Sequence, residues 1–425
     1  MAIKYTNPYG SANFNSFNED KVAFVDKTNF IEVIDKLDTK YPILLRPRRF
    51  GKTTFVQMLD YFYDISKKDQ YDEVFRGTKI IEKNLPSHNT YHVLNLEFSE
   101  IYGNTSAQLV EGFTSNIIDS IADFLDRYPE VNFEVDEYKN KTPSTLINAF
   151  FTSCKIAFKG KQDLYVIIDE YDNFANEILS KDRKLFKAIT NADGFLKAFY
   201  KAIKKHTKKV VAKTFITGVS SVSLDSLTSG FNIAKNVTCD PRLNEFAGFT
   251  KDELIGLIEK LVDTKALNTT ADTIAEIMRQ AYNGYAFCPE AKHTLFNSSM
   301  CLNYIDYISL KKTIENPERV LDPACAFDKS KVADIISFTP KNVLKLEASE
   351  FETTGEIVIS ELAQSINLNQ LDRYDLQTSL SVLYYLGYLT IKNDGDGSRI
   401  CLTYPNKMMK YMFELCFINA LIPKI

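Results

Sequence analysis

No apolar run in the chain approaches the ~20 residues that a membrane-spanning helix requires. Its polar first segment, MAIKYTNPYGSANFN, lacks the apolar core of a signal peptide. Neither insertion nor export is expected. The seven cysteines (Cys154, Cys239, Cys288, Cys301, Cys325, Cys401 and Cys416) are odd in number, scattered and without a CxxC pair. That spacing argues against structural zinc and against a disulfide framework, and fits a reducing intracellular compartment, cytoplasmic or nuclear. Histidine is scarce, with four in the chain. His88 and His92 stand four apart but flank a turn-to-strand junction, which suits a surface or core role better than a metal site. A charge excess is missing too: 51 basic against 55 acidic residues leave a net charge of −4, which argues neither for nor against a nucleic-acid partner. Repeats and low-complexity segments are also absent.

What is present is enough apolar material for large cores: 425 residues, 45% hydrophobic and 12% aromatic, a length that suggests two or three domains. The first half alternates strand-like runs at 43–45, 91–98, 164–168 and 210–217 with helical stretches at 53–63, 106–127, 143–158 and 181–206. That alternation predicts an α/β fold, a doubly wound parallel sheet with helices on both faces. Within 53–63, Phe55, Met58, Leu59 and Phe62 form the stripe of a core-facing helix. After residue 249 the pattern turns helical. Thr250 and Glu253 form a capping box ahead of the stripe Leu254, Leu257, Ile258 and Leu261. Near the end, LTIK and ICLTY flank NDGDGSR, a Gly-Asp hairpin tip, with a helix and two shorter helical stretches before them. The chain is therefore expected to divide into a nucleotide-binding core (1–247), a helical lid or adaptor (248–337) and a winged-helix-like domain (338–425).

One segment carries chemistry: ILLRPRRFGKTTF, at 43–55. A phosphate-binding loop needs a strand to deliver the chain, a tight turn and a helix whose free N–H groups face the phosphates. It also needs a lysine for the β and γ phosphates and a hydroxyl for Mg²⁺. Gly51 marks the closest backbone approach, and Lys52 and Thr53 supply the last two groups. The expected nucleotide contacts are Arg46, Pro47, Arg48, Arg49, Phe50, Gly51, Lys52, Thr53 and Thr54. Arg46 stands where the first glycine of G-x-x-x-x-G-K-[ST] belongs. A second segment, LYVIIDEYDNF, ends an apolar strand in Asp169-Glu170, placing one carboxylate for Mg²⁺ and the next to polarise the attacking water. A third strand ends KTFITGVSSVS, where Thr217 or Ser220 would lie beside the γ-phosphate; a plain turn after a buried strand explains the same residues.

Together FVDKTNFI, LLRPRRFGKTTF, YVIIDEYDN, FITGVSSVSLDSLTSGFNIAKNVT, GFTKDEL, YNGYAF and YPNK resemble the AAA-ATPase-like family, often fused to a nuclease-like domain of the PD-(D/E)XK class. The resemblance runs from about residue 25 to the end. It implies that Arg46 is the family's own variant of the first glycine. It also implies that Lys52 and Thr53 bind phosphate and Mg²⁺, that Asp169 and Glu170 are the Walker B pair, and that Asp26 and Lys27 lie where the base is contacted. A helix cap at Asp26 or Thr28 explains FVDKT equally well. Where the family has a GYRF-like segment this chain reads GYAF, so Ala286 removes an arginine that would sense the nucleotide from the lid. No D…ExK constellation follows YPNK, so nuclease activity is not expected.

The reading is an ATP-binding protein that uses Mg²⁺ and hydrolyses ATP slowly, with Glu170 and Lys52 as catalytic groups, to drive a conformational switch. Alternatives are a nucleotide-binding interaction protein with little turnover, and a nucleic-acid-binding regulator working through the winged helix. No guanine-reading Asn/Thr-Lys-x-Asp motif is near, which favours ATP over GTP. A protein partner or self-association is compatible with all three. The lysines of YKAIKKHTKKVVAKT, at 200–214, read as a solvated helix face, and the tail offers few basic residues for a recognition helix. An intramolecular clamp is the expected role of the winged helix.

Overall fold

The computed structural model describes residues 5–11, 13–15, 17, 21–174, 178, 183–190, 194–221, 224–320, 354–363, 376–392 and 399–421. Five strands form one sheet: β1 (Pro42–Leu45), β2 (His92–Glu97), β3 (Leu164–Asp169), β4 (Val211–Gly218) and β5 (Lys235–Asn236), in the order β2-β3-β4-β1-β5. Every neighbouring pair is parallel. Parallel strands need crossovers, and a sheet covered on both faces must be apolar throughout. Accordingly β1 and β3 are buried along their whole length. Each such Ile, Leu or Val withdrawn from water contributes about 1.5–3 kcal/mol.

Helix α1 (Asn29–Asp35) precedes β1, and the crossovers supply α2 (Lys52–Tyr63), α3 (Ser106–Arg127), α4 (Pro143–Ala157), α5 (Arg183–Thr190), α6 (Phe195–His206) and α7 (Leu224–Gly230). In α3 the Thr105 hydroxyl caps the Gln108 N–H, and Leu109, Phe113, Ile117, Ile121 and Phe124 are all fully buried at helical spacing. The helix expected over 181–206 is two: α5 ends at Thr190, and α6 opens after Gly194, whose extended backbone does not propagate the first helix. β5 escaped the sequence pattern because two polar residues carry no period.

After the sheet come α8 (Lys251–Leu261), α9 (Ala271–Tyr282) and α10 (Ser298–Lys311). The capping box closes as expected: Glu253 N–H donates to the Thr250 hydroxyl at 3.3 Å and Thr250 N–H to the Glu253 carboxylate at 2.9 Å. In the last part, β6 (Glu356–Ile359), α11 (Leu376–Tyr385), β7 (Thr390–Lys392), β8 (Ile400–Thr403) and α12 (Lys407–Leu421) build an antiparallel sheet in the order β6-β8-β7. The hairpin tip and the two short helical stretches expected before it lie outside the described residues.

This last part sits on the first. Gly387 holds a left-handed φ of 85°, and a Cβ there would lie 2.9 Å from the Pro47 side chain. Ala286 donates its N–H to Thr390 Oγ1 at 2.8 Å, Tyr384 donates to the Phe287 carbonyl at 3.2 Å, and Asn406 to that of Asn283 at 2.8 Å. The YNGYAF segment is thus the joint between the helical part and the antiparallel sheet. Among the described residues no helix is long and apolar enough to cross a membrane.

Candidate functional site

The carboxyl ends of β1, β2, β3 and β4 line up on one edge of the sheet: Leu45 is level with Gly218, and Glu97 with Asp169. Open parallel sheets bind ligands at this edge. There β1 passes through Arg46–Phe50 into Gly51, which has a φ of 95° and caps α2 without a side chain. An added Cβ at Gly51 would meet nothing, so the glycine is required by its backbone conformation. Arg49 also takes a left-handed φ, of 66°.

The loop divides its polar groups between two sides. Its carbonyls turn toward the helical part: Phe50 O accepts from Gly248 N–H at 2.9 Å and Ser298 Oγ at 3.3 Å, and Arg49 O accepts from Ser299 N–H at 3.3 Å. The Phe50 ring meets Tyr285 and Phe287 edge-on. The N–H groups of Gly51, Lys52, Thr53 and Thr54 have no acceptor among the described residues. They head α2 at the positive end of its dipole.

Beside them opens a cavity of about 1120 Å³. Of the residues expected at the site, Lys27, Arg48, Arg49, Phe50, Gly51, Lys52, Thr53, Thr54 and Glu170 line it. Tyr9, Val25 and Leu302 continue the wall in apolar material, and Leu386 and Tyr388 close it from the antiparallel part. The Lys52 ammonium donates to Pro47 O at 3.2 Å. Lys27 donates to Glu253 at 2.6 Å and to Glu245 O at 2.8 Å, which ties the cavity wall to the cap of α8; burial, partly offset by Glu253, lowers its pKa.

Asp169 lies just behind this wall, 3% exposed. Burial first, and then the Glu170 charge, push its pKa up to about 6; Lys52 and the Thr53 hydroxyl pull the other way. One of its oxygens accepts from Glu170 N–H at 2.8 Å, while Oδ2 is buried without a hydrogen-bond partner. Glu170 turns the chain with a φ of 53°, a left-handed conformation that costs a non-glycine residue ~1–2 kcal/mol and ends the strand by sending Glu170 into the cavity wall.

The remaining expected residues stand elsewhere. Arg46 is 1% exposed and does not line the cavity. Its guanidinium donates to the carbonyls of Leu45, Thr238 and Leu243 at 2.7, 2.9 and 2.7 Å and stacks on Phe287 and Phe246. Desolvation lowers its pKa to about 10. Pro47 packs under Gly387. Thr217 spends its hydroxyl on Leu44 O at 2.7 Å, and Ser220 donates to Asp172. Asp26 accepts from Thr28 N–H, Thr28 Oγ1 and Lys79 N–H, a tether at the start of α1. These five side chains are engaged within the protein and turned away from the cavity.

Asp172, superficially like Glu170, is fully buried and accepts from Val219 N–H, Ser220 N–H and Ser220 Oγ. It locks the end of β3 to the tip of β4, so tightly that Gly218 has no room for a Cβ. Sequence reasoning also passed over Asn173, which accepts from Arg48 at 2.6 Å and donates to Ser99 O at 2.9 Å. Its place inside DEYDNF was the available signal. His92 stacks on Phe158, and His88 on Tyr71.

A strand, a glycine turn with free N–H groups, and a buried carboxylate across the sheet define a P-loop, ATPase-like α/β protein. The model of the predicted AAA-ATPase family matches residues 8–228, and the chain belongs to that family. An uncharacterized protein in the vnfD 5′ region of Azotobacter chroococcum mcd 1 is 23% identical over 441 residues, spanning 98% of this chain and 70% of that protein. Among solved structures, Drosophila ORC bound to DNA is matched over 96% of this chain and 92% of that chain, with 11% identity and a TM-score of 0.31. A superposition that loose carries no argument.

Proposed function

We propose that the chain binds ATP with Mg²⁺ in the cavity beside Gly51 and hydrolyses it slowly to switch the seating of its second and third parts. The observation that carries this reading is the row of unpaired N–H groups at 51–54, set beside a buried, partnerless Asp169 Oδ2. The first is a cradle for anionic oxygen. The second is an orphaned acceptor that a hard cation would satisfy. The residues therefore fit the metal: Asp169 and Thr53 would hold Mg²⁺, which when bound neutralises charge on the phosphate oxygens. Lys52 holds the β and γ phosphates, Arg48 and Arg49 face the same end of the cavity, and Lys27 with the apolar wall takes the base. Glu170 orients the attacking water.

In this reading 248–337 is the lid and 338–425 a winged-helix-like clamp. The contact of Gly387 with Pro47 and the Leu386 and Tyr388 side chains in the cavity wall support a clamp that feels the nucleotide. A second reading, nucleotide binding with little turnover, is favoured by Ala286: it is buried and its backbone is engaged by Thr390, so this segment offers no arginine to the phosphates.

Glu170→Gln separates the two readings. General-base assistance is worth ~10²–10⁴ in rate, so the variant should bind ATP normally and hold it unhydrolysed while wild type releases phosphate. Equal, slow release from both assigns the chain to the binding-only class. Lys52→Ala tests the site itself; unchanged ATP affinity by calorimetry would sink both readings.

A further inference from the structure

The lysines gather at the opposite edge of the sheet from the cavity. The last turn of α4 carries Lys155, and the turn into β3 carries Lys159 and Lys161. The last turn of α6 carries Lys204 and Lys205, and the turn into β4 carries Lys208 and Lys209. The two turns are laced together: Gln162 donates to Thr207 O at 2.6 Å, Leu164 N–H to Val210 O at 3.0 Å, and the His206 ring lies 3.1 Å from Asn148. His206, enclosed between them, has its pKa lowered to about 4, by burial first and then by Lys209, Lys205 and Lys155; one ring feels both helices' lysines.

Lys155, Lys159, Lys161, Lys205 and Lys208 are exposed, and Lys204 and Lys209 half-buried. Among the described residues none of the seven has an ion-pair partner, whereas Lys213, a little further on, is paired with Asp35. Asp163 is the single carboxylate within 155–163 and 201–213. Complementing helix dipoles accounts for Lys155, Lys204 and Lys205. It does not account for four more lysines beyond the helix ends in a chain whose net charge is −4.

We propose that this edge is a sequence-indifferent binding surface for the phosphate backbone of a nucleic-acid duplex. Lysines make point-charge contacts to phosphates without the planar fork that reads bases. Single-strand binders add aromatic platforms for bases; here the one aromatic between Lys155 and Lys161, Phe158, is buried. Because the patch lies at the amino ends of β3 and β4, it stays open while the cavity at their carboxyl ends is filled.

The test is anisotropy of a labelled duplex of about 20 base pairs against the full chain over a range of KCl. The affinity should fall linearly on a log–log plot with a slope of about −4 to −6, as for five to seven phosphate contacts. Lys155→Ala, Lys205→Ala and Lys208→Ala combined should flatten the slope by about 3, and Lys159→Ala or Lys161→Ala alone by about 1 each, with ATP binding unchanged as the control for folding. No binding at low salt, or a slope that the substitutions leave untouched, overturns the proposal. Tighter association with phosphatidylserine vesicles than with the duplex overturns it in favour of a lipid surface, where the exposed Ile156 would insert.

Discussion

Asp169, Glu170 and Asp172 are three carboxylates within four residues, and the fold sets each in different surroundings. Asp172 has three donors, Glu170 faces the cavity, and Asp169 is buried with one oxygen unmatched. The motif showed that a carboxylate would close β3. It did not show what holds Asp172, because its donors come from Val219 and Ser220, more than forty residues later. A consequence follows for the metal-free protein. Folding takes Asp169 from an ordinary carboxylate pKa up to about 6, so between those values the native chain holds a proton that the unfolded chain releases. Wild-type stability therefore falls as pH rises through that window. Asp169→Asn keeps the shape without the charge. In EDTA at pH 7.5 it should be more stable than wild type by about 1–3 kcal/mol, an advantage that shrinks by pH 5, and it should lose Mg²⁺-dependent ATP binding. Thermal unfolding at the two pH values checks this; a variant less stable than wild type at pH 7.5 would mean that the carboxylate has a structural partner.

At the scale of elements, the strand at 43–45, the turn and the helix at 53–63 were legible because their signals are local: a short apolar run, a glycine, then a stripe at helical spacing. The role of Arg46 was not. Three carbonyls and two rings surround it, and all but the Leu45 carbonyl come from 192 or more residues away in sequence. Read from the motif alone it belonged with the phosphate contacts; in the fold it pins the start of the loop to the chain after β5 and to the YNGYAF segment. A buried guanidinium whose two terminal nitrogens donate to carbonyls becomes costly to remove, since the acceptors are left without donors. Restoring the ordinary glycine should therefore harm the protein. Arg46→Gly is expected to cost about 3–5 kcal/mol in denaturant unfolding and to weaken ATP binding, because the loop carbonyls lose their register against Gly248 and Ser298. A variant that binds ATP as well as wild type would show that the loop holds its shape without the pin.

For the molecule as a whole, a parallel sheet flanked by helices could be read from period and spacing, but not the way the last part folds back on the first. Nothing local in LYYLGYLT announces that Gly387 will rest on Pro47, 340 positions earlier. Such a contact is set by shape, and glycine makes it possible by lacking a Cβ. Two glycines of the antiparallel part allow the contact to be isolated. Gly355 and Gly387 both have left-handed φ values, 69° and 85°, but a Cβ at Gly355 would meet nothing, and at Gly387 it would press on Pro47. Gly355→Ala should thus show only the backbone penalty, about 1 kcal/mol, and leave ATP affinity unchanged. Gly387→Ala adds overpacking of about 1–3 kcal/mol. It should also lift Leu386 and Tyr388 from the cavity wall, lowering ATP affinity and speeding proteolysis of the chain after residue 354. The difference between the two variants measures the seating itself. If both lose stability equally and bind ATP equally, the last part rests on the loop without bearing on it, and the clamp is wrong.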